Sequence, residues 1–319
     1  MLAATMLEAL DVYRYYGARC AVSALSFRID EGESVGLLGL NGAGKSTTLR
    51  MLAGLSSPTR GAILVRGQAL SPEAHDLRAL IGFLPDRPPV YEAMGVHAYL
   101  RFAAKLRGVL PSQVERRVTY VIEACDLTRV AADPIASLSH GFRQRVGIAQ
   151  AIVHEPPLVV LDEPSQGLDP AQRLSMRALV RTLKARHTVV LSTHVLSEIS
   201  QCCDRVLLLH EGRLHAQGSE TEIVQRFAQG AVHAIAAVVR GSRAQVDAAL
   251  VEMDGVSRYS VRELGADLHV HVECERDLRA QVSRALMQAG LELLELRAGS
   301  EGLEAVFASL VHKPREAAA

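Results

Sequence analysis

The stretch GLNGAGKST, Gly39 to Thr47, decides how the rest of the chain is read. Gly39 and Gly44 stand five positions apart and Lys45 and Ser46 follow directly, the full G-x-x-x-x-G-K-S/T spacing. The apolar run SVGLL precedes it as a strand and a helical pattern follows over Lys45–Leu52. A glycine loop between strand and helix turns its backbone N–H groups inward, around the β- and γ-phosphates of a nucleotide. Residues Gly39, Leu40, Asn41, Gly42, Ala43, Gly44, Lys45, Ser46 and Thr47 are therefore the expected ATP-binding loop. Lys45 supplies a point charge, and the Ser46 hydroxyl is a ligand for Mg²⁺.

Outward from that loop, PLVVLDEP pushes Asp162 to the C-terminal end of a buried strand, where open α/β sheets bind ligands. Asp162 is expected in the magnesium shell, and Glu163 is placed to deprotonate a water in line with the γ-phosphate. A third strand, HTVVLSTH, ends in His194, which can bridge the γ-phosphate and the attacking water. The segment SLSHGFRQR, Ser137 to Arg145, sets a serine and a glycine at a helix start, a second phosphate-ready end far from Lys45 in sequence.

The strands SVGLLG, PLVVLD, HTVVLST and RVLLLH are unbroken apolar runs, as in a parallel sheet covered on both faces, and helices alternate with them. The fold class is α/β. Between about 86 and 140 two amphipathic helices occur with no strand, broken by Gly108 and Pro111, as a helical insert. Ser219–Phe227 reads as a closing helix and Gly230 as a break. Beyond it Leu268, Val270, Val272 and Cys274 alternate with polar residues, and Leu278, Val282, Ala285, Leu286 and Ala289 share a helical face. The reading is a domain over 1–228 and a small ferredoxin-like α+β domain over 231–319.

A length of 319 residues with 49% hydrophobic content suits two domains, and a net charge of +0 argues against a nucleic-acid partner. Five cysteines without a Cys-x-x-Cys pair read as reduced thiols. MLAATMLEAL lacks the basic start of a secretory signal, and no apolar run approaches a membrane span. His269 and His271 share a strand face without a third ligand nearby, which reads as a solvated face.

Taken in order, GLNGAGKST, LSHG, LVVLDEP, SQGLD and STH resemble the ATPase subunit of an ABC transporter over residues 1 to about 228. The resemblance implies that Tyr16 stacks on adenine and that Ser165–Asp169 links two nucleotide sites. It also implies that His194 is a switch histidine and that Ser139, Gly141 and Asp169 serve ATP held by the other subunit of a homodimer. His140 stands where glycine is commonest and Phe142 replaces glutamine. In IGFLPDRPP, Asp86 replaces the usual glutamine and becomes a third candidate toward Mg²⁺ or water. LPDRPPVYEAMGVHAYLRF and the ending GLEAVFASL resemble exporters of the ABC-2 type. That implies an integral membrane permease as partner, with this chain cytoplasmic on the inner face of the cell membrane. The alternative is a regulatory nucleotide switch not coupled to transport.

Overall fold

A computed structural model describes residues 4–228, 233–274 and 276–298 of the chain, so the GLEAVFASL segment lies outside the described residues. The chain divides into two units, Met1–Gly218 and Ser219–Ala319. The helix Glu220–Ala228, read from sequence as closing the first domain, falls in the second unit.

In the first unit a six-stranded sheet has the order Arg213–Gly218, Arg205–His210, Ser34–Leu38, Thr188–Thr193, Leu158–Asp162, Ile81–Leu84. All neighbours are parallel except the edge hairpin Arg205–His210 with Arg213–Gly218. Every residue of Ser34–Leu38, Leu158–Asp162 and Thr188–Thr193 is buried, which is why these strands read as continuous apolar runs. Their C-terminal ends carry Leu38, Asp162 and Thr193, so the phosphate loop, the acidic pair and His194 all emerge at one edge.

A second, antiparallel sheet was not legible in the sequence. Its order is Arg19–Asp30, Thr5–Tyr16, Arg60–Val65, Gln68–Ala69. Leu7, Val12, Leu25, Ile29 and Ile63 from this sheet join Val35, Leu37, Leu49 and Val160 in one core, with the helix Lys45–Leu52 among them. A separate core gathers Leu100 and Ala104 from the helix Val96–Leu106 and Val118 and Val121 from Val114–Ala124. These meet Val146 and Ile148 of the helix His140–Ile152 and Val159 and Leu191 of the parallel sheet. The two-helix insert is thus anchored through one apolar stripe.

In the second unit the elements from His233–Arg240 to Glu292–Ala298 follow the order β-α-β-β-α-β of ferredoxin-like domains, and the four strands are all antiparallel. The alternation expected over Leu268 to Cys274 is present, with all four apolar positions buried. They pack on Val246, Leu250, Val282 and Leu286 of the two helices.

Candidate nucleotide site

Backbone geometry builds the loop first. Gly44 has φ +99°, and a Cβ there would lie 2.6 Å from the Ala21 carbonyl oxygen, so neither the conformation nor the space admits a side chain. The helix Lys45–Leu52 begins directly after it with no side chain capping its first turn, leaving backbone N–H groups for a ligand.

Lys45 is buried beneath this loop. Its Nζ donates to the Gly39 carbonyl at 2.8 Å and the Leu40 carbonyl at 3.3 Å, and lies 3.2 Å from Glu163 Oε1. The other oxygen, Glu163 Oε2, lies 2.7 Å from His194 Nδ1. Glu163 is one of few non-glycine residues with positive φ, at +47°, a strain of about 1–2 kcal/mol.

Ser192 holds both acids from the neighbouring strand, where it pairs in register with Asp162. Its hydroxyl donates to Asp162 Oδ1 at 2.6 Å and accepts the Glu163 N–H at 3.0 Å. Burial pushes the Asp162 carboxyl above the usual carboxylate range, against the Ser192 and Ser46 hydroxyls, which hold it down; the charges of Asp86 and Glu163 push it further up. Ser46 and Asp162 are in hydrogen-bond contact. Among the described residues no ready-made cluster of three or more His, Cys, Asp or Glu surrounds a metal position. Two hard oxygen donors, with the remaining ligands left to water and phosphate, would fit Mg²⁺ rather than a protein-caged metal.

An open cleft of about 330 Å³ lies over the loop, lined by Tyr16, Arg19, Leu40, Lys45, Ser46 and Glu163 among others. The Tyr16 ring is 45% exposed at its rim, with the Arg14 guanidinium 4.9 Å from its centre. Asn41, Gly42 and Thr47 line the cleft as expected, while Gly39 and Ala43 sit behind its lining. Arg19 and Ser192 were not singled out in the sequence reading.

Ser139, Gly141 and Asp169 do not line this cleft. Ser139 caps the helix His140–Ile152 by accepting the Phe142 N–H, and Asp169 caps Pro170–Lys184 by accepting the Gln172 N–H at 2.8 Å. The two helix starts touch: a Cβ on Gly141 would stand 3.1 Å from Gln172 Oε1, and His140 Nε2 lies 2.9 Å from the Gln166 carbonyl oxygen. Ser139 and Asp169 are exposed, Gly141 is buried where the two helix starts meet, and none of the three lines the cleft of the same chain. Gln144, buried one turn into the helix His140–Ile152, donates to the Asp86 carbonyl at 3.1 Å, tying that helix to the Asp86 turn.

The ABC transporter family profile matches residues 22–166. The linearmycin resistance ATP-binding protein LnrL of Bacillus subtilis (strain 168) is 30% identical over 306 residues, 96% of this chain and 98% of the relative. The chain belongs to the ABC transporter family as an ATP-binding subunit. The bacitracin transport ATP-binding protein BcrA of Bacillus licheniformis is 29% identical, covering 96% of this chain and 97% of the relative. A solved structure described as the ATP-binding subunit of an ABC transporter superposes with a TM-score of 0.64 at 36% identity, covering 70% of this chain and 94% of that one. The activity of this ABC subunit is transport-coupled ATP hydrolysis, and the regulatory alternative is not favoured.

Proposed function

We propose that this subunit binds Mg·ATP between two copies of itself and uses the cycle to drive export through a separate ABC-2 type permease, from the inner face of the cell membrane. The observation that carries the chemistry is the Lys45, Glu163, His194 chain of contacts, at 3.2 and 2.7 Å, with Lys45 and Glu163 lining the open cleft over the glycine loop.

The loop amides of residues 39–47 and Lys45 hold the β- and γ-phosphates, and Tyr16 stacks on the base. Ser46 and Asp162 would hold Mg²⁺, with Asp86 as a further candidate toward the ion or its water. When bound, the ion would neutralise charge developing on the transferred phosphoryl group. Glu163 accepts the proton of a water whose oxygen attacks the γ-phosphorus as the bond to the β-phosphate oxygen breaks, releasing ADP and phosphate. His194 orients Glu163. Ser139, Gly141 and Asp169 complete the site of the other copy, since none of the three lines the cleft of its own chain.

Coupling is assigned to Asp86 and the insert around 92–107. Tyr91 is 58% and Phe102 40% exposed, and their rings meet edge-on at 5.6 Å, an apolar patch suited to a membrane subunit. Among the described residues no helix is long and apolar enough to cross a membrane, so the spanning element is assigned to a partner. Crosslinking from Tyr91 reaches the permease on this reading; labels confined to 231–319 overturn it. The names of the relatives LnrL, for linearmycin resistance, and BcrA, for bacitracin transport, support the transport reading. The domain over 231–319 carries no phosphate-binding motif and is assigned a role in dimer stability or regulation, so truncation at Phe227 leaves ATP affinity largely intact.

The test of the enzymatic reading is Mg²⁺-dependent ATP turnover of the purified chain. Glu163→Gln abolishes turnover while retaining ATP binding; turnover near wild type rules out this base.

A further inference from the structure

Thr193 and Glu198 hold the turn that aims His194. The strand Thr188–Thr193 ends one residue before His194, and the helix Leu196–Cys202 starts two residues after it. Only a two-residue link therefore sets the direction of the imidazole. The ring itself is poorly packed, with its side chain 45% exposed, so its neighbours do not fix it.

The backbone is fixed instead. Thr193 Oγ1 accepts the Val195 N–H at 3.0 Å, closing the turn around His194. The same hydroxyl donates its one proton to Glu198 Oε2 at 2.7 Å. That second bond commits the hydroxyl lone pairs to Val195, because a hydroxyl with its proton placed elsewhere faces the N–H as an acceptor. Thr193 is 2% exposed and Glu198 3%, and Glu198 Oε1 has no hydrogen-bond partner. No cation within salt-bridge distance of Glu198 occurs among the described residues. For stability alone a buried, half-satisfied carboxylate is a poor choice against an apolar side chain.

We infer that Glu198 and Thr193 are positioning residues for hydrolysis: the buried carboxylate orients the Thr193 hydroxyl, which clamps the 193–195 turn and keeps His194 Nδ1 within reach of Glu163 Oε2. The inference rests on the assignment of His194 above. Neither residue lines the cleft.

The test compares kcat and KM for ATP in Thr193→Val, Thr193→Ser, Glu198→Gln, Glu198→Ala and His194→Ala, alone and combined. Thr193→Val keeps the shape and loses the hydroxyl; it lowers kcat about tenfold to hundredfold with KM nearly unchanged, the scale of a small misplacement of a reacting group. Thr193→Ser restores the hydroxyl and most of the rate. Glu198→Gln keeps an acceptor oxygen and retains more activity than Glu198→Ala. In the His194→Ala background Thr193→Val causes no further loss, because the residue it positions is gone. An equal loss in both backgrounds, or a kcat of wild-type size in Thr193→Val, overturns the inference. If His194→Ala itself turns over normally, it is the histidine assignment that fails.

Discussion

Lys45 Nζ lies 3.2 Å from Glu163 Oε1, so the ammonium and the carboxylate neutralise each other. Both side chains are nearly buried, and the pair keeps Lys45 from being an uncompensated buried charge. On the roles proposed above, nucleotide phosphates would compete with Glu163 for the ammonium, so that binding would both satisfy Lys45 and release the carboxylate toward water.

One consequence concerns affinity. Glu163→Gln removes the competing negative charge, so the variant binds ATP more tightly than wild type, by about tenfold or about 1.4 kcal/mol. Equilibrium binding under non-hydrolysing conditions measures this. An affinity lower than wild type contradicts the competition.

Asp162 sets function against stability. Its carboxyl is held above the ordinary range chiefly by burial, so the folded chain retains this proton more tightly than the unfolded one. The sign follows: the stabilising protonated form is full at pH below the ordinary carboxylate value and is lost as pH rises through the raised one. At neutral pH Asp162→Asn, which keeps the oxygen accepting from Ser192, raises the Tm of the nucleotide-free protein while removing Mg²⁺-dependent turnover. A lower Tm than wild type in calorimetry contradicts this.

His154 predicts how the fold fails in acid. Burial, reinforced by the Arg107 charge and only partly offset by a hydrogen bond with the Ile81 backbone, lowers its pKa to about 4. A histidine whose folded pKa lies below its unfolded value stabilises fully above about pH 6.5 and loses that contribution as pH falls toward 4. The loss amounts to about 3 kcal/mol. His187, also lowered mainly by burial, acts in the same direction. Denaturant midpoints from pH 7 to 4.5 fall less steeply in His154→Phe; parallel slopes exclude His154 as the source.

Much of the parallel sheet was legible because burial on both faces writes itself as unbroken apolar runs, as in LVVLD and TVVLST. The antiparallel sheet was not, for a local reason. Between Ala9 and Val12 the strand Thr5–Tyr16 slips register against Arg19–Asp30, with Asp11 at φ +45°, so the alternation of apolar and polar residues breaks midway. Motif spacing gave Lys45, Asp162 and Glu163, whose chemistry is local. Ser192 was hidden inside an apolar strand, because its role exists only once that strand lies in register beside Asp162. His140 was visible as a departure, but its bond to the Gln166 carbonyl depends on the packing of two helix starts distant in sequence.

The central claim is that each nucleotide is held between two copies, with Lys45 of one and Ser139 of the other. Mixed dimers in a Glu163→Gln background, each chain carrying its own tag, test it by ATP occlusion per dimer. One arrangement places Lys45→Ala on one chain and Ser139→Arg on the other, so that both lesions fall on a single shared site and the second site stays whole. The other arrangement places both substitutions on one chain beside a partner without them, which damages both shared sites. The account predicts about one occluded ATP in the split arrangement and close to none in the same-chain arrangement; more occlusion in the same-chain arrangement than in the split one contradicts it.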